Sequence, residues 1–163
     1  MTDLHNKELG LNIFNALIKN EELLSKLYGL NSNLFPVDSE FWIDISKDEM
    51  VHASWLSELS TFLEQGNIVL GDERFDLDSI NKFGSDVTDQ INIANKGTIT
   101  AIKALTTSMD LENSMLESDI FKVYDTDDDE LKVILNRLHR STEVHYSEIK
   151  ERWLVEQGEF DQE

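Results

Sequence analysis

Apolar residues recur at steps of three and four along almost the whole chain, and this period constrains the fold more than any other sequence feature. One proline and seven glycines leave the pattern nearly uninterrupted, so we expect long helices. The pattern predicts helices with these bounds: Lys7 to Leu30, Glu40 to Glu64, Asp76 to Ala94, Thr98 or Thr100 to Tyr124, and Leu131 to Val155. The predicted fold class is therefore all-α, with four long helices and one extra helix between the second and third of them.

The connections between these helices favour one arrangement. Pro36 lies in the first connection, and Asp38 or Ser39 can cap the helix that follows. The connection over residues 65–98 contains the extra helix and is long enough to act as a crossover. A four-helix bundle with one long crossover is the ferritin-like variant of that fold. We expect a single domain of this kind over residues 1–163.

The composition excludes several classes of protein. With 14 basic and 33 acidic residues, the formal net charge is −19, so we expect no binding to nucleic acid or to an anionic membrane. The chain has no cysteine, which excludes disulfides, zinc ribbons, cysteine-ligated iron–sulfur clusters and thiol nucleophiles. No apolar run approaches the ~20 residues that span a bilayer, and the first residues lack the apolar segment of a secretory signal. We therefore expect a cytoplasmic protein.

Each of the four long helices interrupts its apolar stripe with polar residues near its middle. The stripes are Phe14, Leu17, Glu21, Leu24 and Tyr28; Trp42, Ile45, Glu49, His52, Leu56, Leu59 and Leu63; Ile102, Leu105, Met109, Glu112 and Leu116; and Leu131, Ile134, Leu138, Thr142, His145 and Ile149. Glutamates off these stripes, such as Glu22, Glu58 and Glu143, are expected on solvated faces. The interruptions therefore predict a polar layer across the middle of the bundle.

The residue types in this layer favour a metal site. Three buried carboxylates beside two imidazoles would repel and desolvate one another, and a cation relieves this because both groups are metal ligands. Glu49 and His52 are three residues apart, so they lie on one helical face within reach of one ion. An isolated Glu-x-x-His is more often a pair of surface residues, but coincident interruptions on four helices favour the metal. The predicted ligands are Glu21, Glu49, His52, Glu112 and His145.

Four segments resemble the core helices of rubrerythrin-type ferritin-like proteins, in order and over nearly the whole chain: NEELLSKLY, DSEFWIDISKDEMVHASWLSEL, TAIKALTTSMDLENSMLE and LKVILNRLHRSTEVHYSEI. In that family, single glutamates on two helices and Glu-x-x-His on the other two bind two irons. The resemblance implies that the five predicted residues bind iron, with Glu49 central or bridging, Glu21 and Glu112 terminal, and Tyr28 in a supporting position. It also implies oxidation of Fe(II) by oxygen or peroxide. The electrons would come from an external donor, because the cysteine-ligated rubredoxin-like domain is missing.

Two departures from the family pattern bear on that chemistry. Thr142 stands three residues before His145, where the family has a bridging glutamate, and the adjacent Glu143 points about 100° away around the helix. Met115 takes the place of a further family glutamate. Five ligands suffice for one ion and are marginal for two, so a mononuclear site with iron, zinc or manganese stays open. A binding or structural protein with a decayed site also stays open, and bundles of this type often form homodimers.

Overall fold

The computed structural model describes residues 2–66, 76–118 and 129–161, which are almost wholly helical. The elements are α1 (Thr2–Leu34), a 3-10 turn (Pro36–Asp38), α2 (Ser39–Glu64), α3 (Leu77–Asn95), α4 (Ala101–Glu117) and α5 (Asp129–Asp161). No strand occurs within these ranges, so the predicted all-α fold class is confirmed. No helix within them is long and apolar enough to cross a membrane.

Two helices are longer than predicted. α1 continues past Leu30 and stops before Phe35, because the following Pro36 disfavours helical backbone in the preceding residue. α5 continues to Asp161, past the predicted end near Val155. The Trp153 indole N–H donates to Thr106 Oγ1 at 2.9 Å and so ties α5 to α4 close to the predicted end.

Part of the predicted layout lies outside the described residues. This applies to the continuation of the fourth predicted helix over residues 119–124 and to most of the loop that follows α2. The predicted signals around α3 hold. Gly97 has a φ of +73°, and the Thr100 side chain accepts a hydrogen bond from the Lys103 backbone N–H as the N-cap of α4.

α3 packs against α1 at a close approach that requires a glycine. A Cβ on Gly84 would lie 2.6 Å from Asn20 Oδ1 on α1. Asn20 Nδ2 in turn donates to the Ile80 carbonyl oxygen at 3.0 Å. Gly84 weakens α3 as an isolated helix, but it allows this packing and the hydrogen bond beside it.

The predicted stripes of α1 and α2 are buried at every position, and so are the described side chains of the α5 stripe. These helices pack in pairs, α1 on α2 and α4 on α5, with further contact between α2 and α5. The side chain of Leu131, which began the α5 stripe, lies outside the described part. The polar interruptions on these three helices are therefore buried in the core, as predicted.

The predicted stripe of α4 was partly wrong. Ile102, Met109 and Leu116 are only half-buried, whereas Ser108 and Met115 are buried beside Glu112. The buried face also includes the small Ala104 and Ser108, and the Ser108 hydroxyl donates to the Ala104 carbonyl oxygen at 2.8 Å. A pattern based on large apolar residues alone misses these two positions. Glu112 belongs both to the predicted stripe and to the observed buried face, so its inward position is as predicted.

Candidate metal centre

Five side chains predicted to form the site meet in the interior. They come from four helices: Glu21 from α1, Glu49 and His52 from α2, Glu112 from α4, and His145 from α5. Each is only 1% exposed. The structure therefore brings the whole predicted set together, although the buried face of α4 differs in part from the predicted one.

Glu49 lies at the centre of this cluster. Its Oε2 is 3.2 Å from Nδ1 of His52, and its Oε1 is 2.7 Å from Nδ1 of His145. The two imidazole rings are nearly parallel, with centroids 5.3 Å apart. One carboxylate thus faces both histidines, with a different oxygen toward each.

The other two carboxylates flank this centre on opposite sides. Glu21 Oε2 lies 3.6 Å from His52 Nδ1, and Glu112 Oε1 lies 3.9 Å from His145 Nδ1. The Tyr28 hydroxyl donates to Glu112 Oε1 at 2.6 Å. Each histidine therefore has its own flanking carboxylate and shares Glu49, and Tyr28 supports the carboxylate on the His145 side.

The outer ring nitrogens have partners that the sequence did not reveal. His52 Nε2 lies 2.7 Å from Ser141 Oγ on α5, and His145 Nε2 lies 3.1 Å from Asp48 Oδ2 on α2. When Nε2–H donates to such a partner, Nδ1 carries the free lone pair, and in both rings Nδ1 points into the cluster. Asp48 and Ser141 therefore orient the two imidazoles with Nδ1 toward the cluster.

A signal for these partners is present in the sequence. Asp48 comes directly before Glu49 and four residues before His52. Ser141 comes directly before Thr142 and four residues before His145, so the two segments have the same spacing. Because one residue is about 100° around a helix, a neighbour of an inward residue can reach sideways to the adjoining helix. Asp48 is 57% exposed, so an exposed carboxylate contacts a buried histidine.

Thr142 is buried at the level of the cluster but offers it no charge. It is 1% exposed, and its hydroxyl donates to the Leu138 carbonyl oxygen at 2.9 Å. Glu143 points outward, as predicted, and its Oε1 lies 2.6 Å from Nε2 of His139. No glutamate replaces the missing carboxylate from this turn of α5.

Several polar atoms of the cluster have no hydrogen-bond partner within the described residues. They are both carboxylate oxygens of Glu21, both of Glu49, and Nδ1 of His52 and of His145. The 2.7 Å contact between Glu49 and His145 is thus close enough for an ion pair but lacks hydrogen-bond geometry. Buried atoms of this kind are costly, and all six are metal-ligand atoms.

Protonation of the carboxylates reflects their crowding. Burial and the neighbouring charge of Glu49 raise the pKa of Glu21 well above its usual range. Burial, together with the Glu49 charge, raises the pKa of Glu112 to about 8. Burial alone would raise the pKa of Glu49 as well, but its contacts with Glu21 and both histidines outweigh burial and lower it. Glu49 is therefore the carboxylate that stays ionised in the metal-free protein.

The pKa values of the two histidines are raised, as the negative charge of Glu49 requires. Burial alone would lower the pKa of His52, but Glu21 and Glu49 outweigh it and raise it to about 10. Contacts with Glu49, Glu112 and Asp48 likewise raise the pKa of His145 to about 9 against the effect of burial. A metal ion needs neutral imidazoles and ionised carboxylates, so its binding would displace protons from this cluster.

The ligand atoms of Glu49, His52 and His145 all lie within 4.8 Å of one another, which suits a common ion. Two imidazole nitrogens with carboxylate oxygens favour a transition metal over magnesium or calcium, which prefer oxygen alone. No family of known proteins, no curated protein and no solved structure matches this chain. The assignment of a metal therefore depends on the donor set itself.

Proposed function

We propose that this protein is a ferritin-like four-helix bundle that binds a transition metal, iron in the first instance, at Glu49, His52 and His145. Glu21 and Glu112 complete the donor set on either side. The packing of α1 on α2 and of α4 on α5, with α3 in the connection between the pairs, supports the bundle. The donor set also suits zinc or manganese.

One observation carries the proposal. Six buried ligand atoms from four residues converge without hydrogen-bond partners within the described part of the chain. Hydrogen-bonding groups at such depth are nearly always satisfied, and a bound cation would take the two histidine nitrogens and a Glu49 oxygen as its ligands. The outer contacts of both histidines support the same proposal, because metal-binding imidazoles usually donate their other N–H to a carboxylate or a similar group.

Iron at this position would supply one-electron redox chemistry with oxygen or peroxide, with electrons from an external donor. The chain's own residues do the rest. Their burial excludes bulk water, Asp48 and Ser141 orient the imidazoles, and Tyr28 holds Glu112 through its hydroxyl. Burial and the nearby carboxylates raise the pKa of Tyr28 well above 10, so this hydroxyl keeps its proton and remains a donor.

The experiment is a thermal melt of metal-free protein with and without Fe(II) under anaerobic conditions. A ligand that binds only the folded state raises the melting temperature, so we expect a rise in the wild type. We expect no rise in Glu49→Met, and a normal rise in Glu58→Met, the same substitution on the exposed face of α2. The iron content of protein purified without chelator, measured per chain, gives an independent answer.

A second candidate function is a metal-free structural or binding bundle. The observation that favours it is the 2.7 Å contact between Glu49 and a histidine whose pKa is raised to about 9, an arrangement that balances the charge with protons alone. In that case Glu49→Met should be less stable than the wild type, because removing one partner of a buried ion pair leaves the charge of the histidines uncompensated. Fe(II) should then change neither melting temperature.

Iron-loaded protein that turns over oxygen or peroxide no faster than free iron would overturn only the redox chemistry of the proposed iron site.

A further inference from the structure

α2 and α5 present polar residues to the site at the same spacing and exchange the same contacts. The two sets are Asp48, Glu49 and His52 on α2, and Ser141, Thr142 and His145 on α5. The first residue of each set contacts the histidine of the other helix. The two sets are thus equivalent in the structure, and the counterpart of Glu49 is Thr142.

Glu49 does something that Thr142 does not do. The two Glu49 oxygens face different histidines, at 3.2 Å and 2.7 Å, so the carboxylate can bridge two ion positions. The Thr142 hydroxyl carries no charge and donates a hydrogen bond to the Leu138 carbonyl oxygen of its own helix. The site therefore has one bridging carboxylate, where the equivalence of the helices provides places for two.

Charge also limits what this site can hold. Its buried carboxylates are Glu21, Glu49 and Glu112, so they supply at most three negative charges against the four positive charges of two divalent ions. The remaining positive charge would be buried among side chains that are each 1% exposed, which is unfavourable. With one divalent ion the excess is a single negative charge. The Tyr28 hydroxyl stabilises negative charge on this side of the site, because it donates to Glu112.

We infer that the site holds a single divalent ion, bound by Glu49, His52 and His145, and that Thr142 is the residue that limits the number to one. The ligand atoms of these three residues lie within 4.8 Å of one another, so a single ion can reach all of them. This inference rests on the proposed function, because it concerns the number of ions at the same site.

The test counts Co(II) ions per chain by native mass spectrometry and calorimetric titration of metal-free protein. We expect one ion in the wild type and two in Thr142→Glu, which restores the second bridging carboxylate. Thr142→Gln has nearly the same shape without the charge and should stay at one. Val144→Glu adds the same charge at a position that is 51% exposed and should also stay at one.

Each outcome decides one claim. A wild-type chain that binds two ions at this site overturns the inference and leaves the proposed function standing. A wild-type chain that binds none overturns both. One ion in the wild type and one in a folded Thr142→Glu overturns the role of Thr142. Should Thr142→Glu fail to fold, Thr142→Asp takes its place, and the wild-type count still decides the single-ion claim.

Discussion

The α2 and α5 halves of the site have equivalent geometry, but only the α2 half carries negative charge at the equivalent positions. α2 contributes both acids, Glu49 inside the cluster and Asp48 beside it, whereas α5 contributes the neutral Thr142 and Ser141 at the equivalent places. As a result, His145 has a carboxylate at its outer nitrogen and His52 has a hydroxyl. The backbone arrangement therefore fixes where ligands can lie, and the side-chain charge determines how much positive charge the site can hold.

The largest expected difference in metal affinity comes from replacing the central residue of each half, Glu49 or Thr142, in separate variants. Glu49→Gln keeps the shape but removes the charge that faces both histidines, so metal affinity should fall more than ~100-fold, beyond the range for outer partners. Thr142→Val removes only a hydroxyl that is bonded to its own helix, and affinity should change only a few-fold. Calorimetric titration with Co(II) measures both. Equal losses in the two variants would mean that the halves do not differ as their charges indicate.

This contrast also explains which parts of the site could be predicted from the sequence. A glutamate or histidine within an apolar stripe is conspicuous, so the burial of all five candidate ligands could be predicted. Asp48 and Ser141 were not predicted. Their places directly before Glu49 and Thr142 are a weak signal, because a partly exposed polar residue on a helix resembles its many polar neighbours until the adjoining helix is placed. The face of α4 was partly missed for a related reason, since the small Ser108 gives a weak burial signal. The equivalence of Thr142 and Glu49 was only implied by the family resemblance until the exchanged contacts revealed it.

The outer partners provide the next largest effect. Asp48→Asn and Ser141→Ala should each weaken metal binding by about 10- to 100-fold, because these residues orient the imidazoles. Asp48→Asn should cost more, since its carboxylate also makes His145 a more basic ligand. Asp44→Asn is the matched control, an exposed acid on the same helix that lines the same surface groove. A loss in Asp44→Asn as large as in Asp48→Asn would point to overall surface charge instead of orientation.

The pH dependence of the metal-free protein distinguishes protons from metal. The pKa values of His52 and His145 are raised to about 10 and 9, so their stabilising contribution is fully present below pH 6.5 and lost as pH rises through those values. The pKa of Glu112 is raised to about 8, so the fold favours its neutral form and loses stability as pH rises from 4.5 through 8. Glu49 acts in the opposite direction, but only as pH falls below its usual pKa, outside this window.

The melting temperature of metal-free protein should therefore fall between pH 6.5 and pH 10, by about 2–4 °C for each kcal/mol lost. The rise caused by bound metal should grow over the same interval, because fewer protons have to be displaced. Melts at several pH values, with and without Zn(II), measure both trends. Glu112→Gln should flatten the metal-free curve between pH 6.5 and pH 8, where Glu112 contributes to the slope. A wild-type curve that is flat over this interval would show that the cluster does not hold these protons.

The smallest expected effect tests the support on the His145 side, where Tyr28 donates to Glu112 at 2.6 Å. Tyr28→Phe removes this donor without opening a large cavity, so the free energy of unfolding should fall by about 1–2 kcal/mol. Metal affinity should fall only a few-fold, because no proposed ligand among Glu49, His52 and His145 is lost. Tyr146→Phe, on the half-buried face of α5, is the matched control and should change neither quantity. A loss of affinity in Tyr28→Phe as large as in Asp48→Asn would mean that Glu112, which Tyr28 holds, binds the metal as directly as Glu49 does.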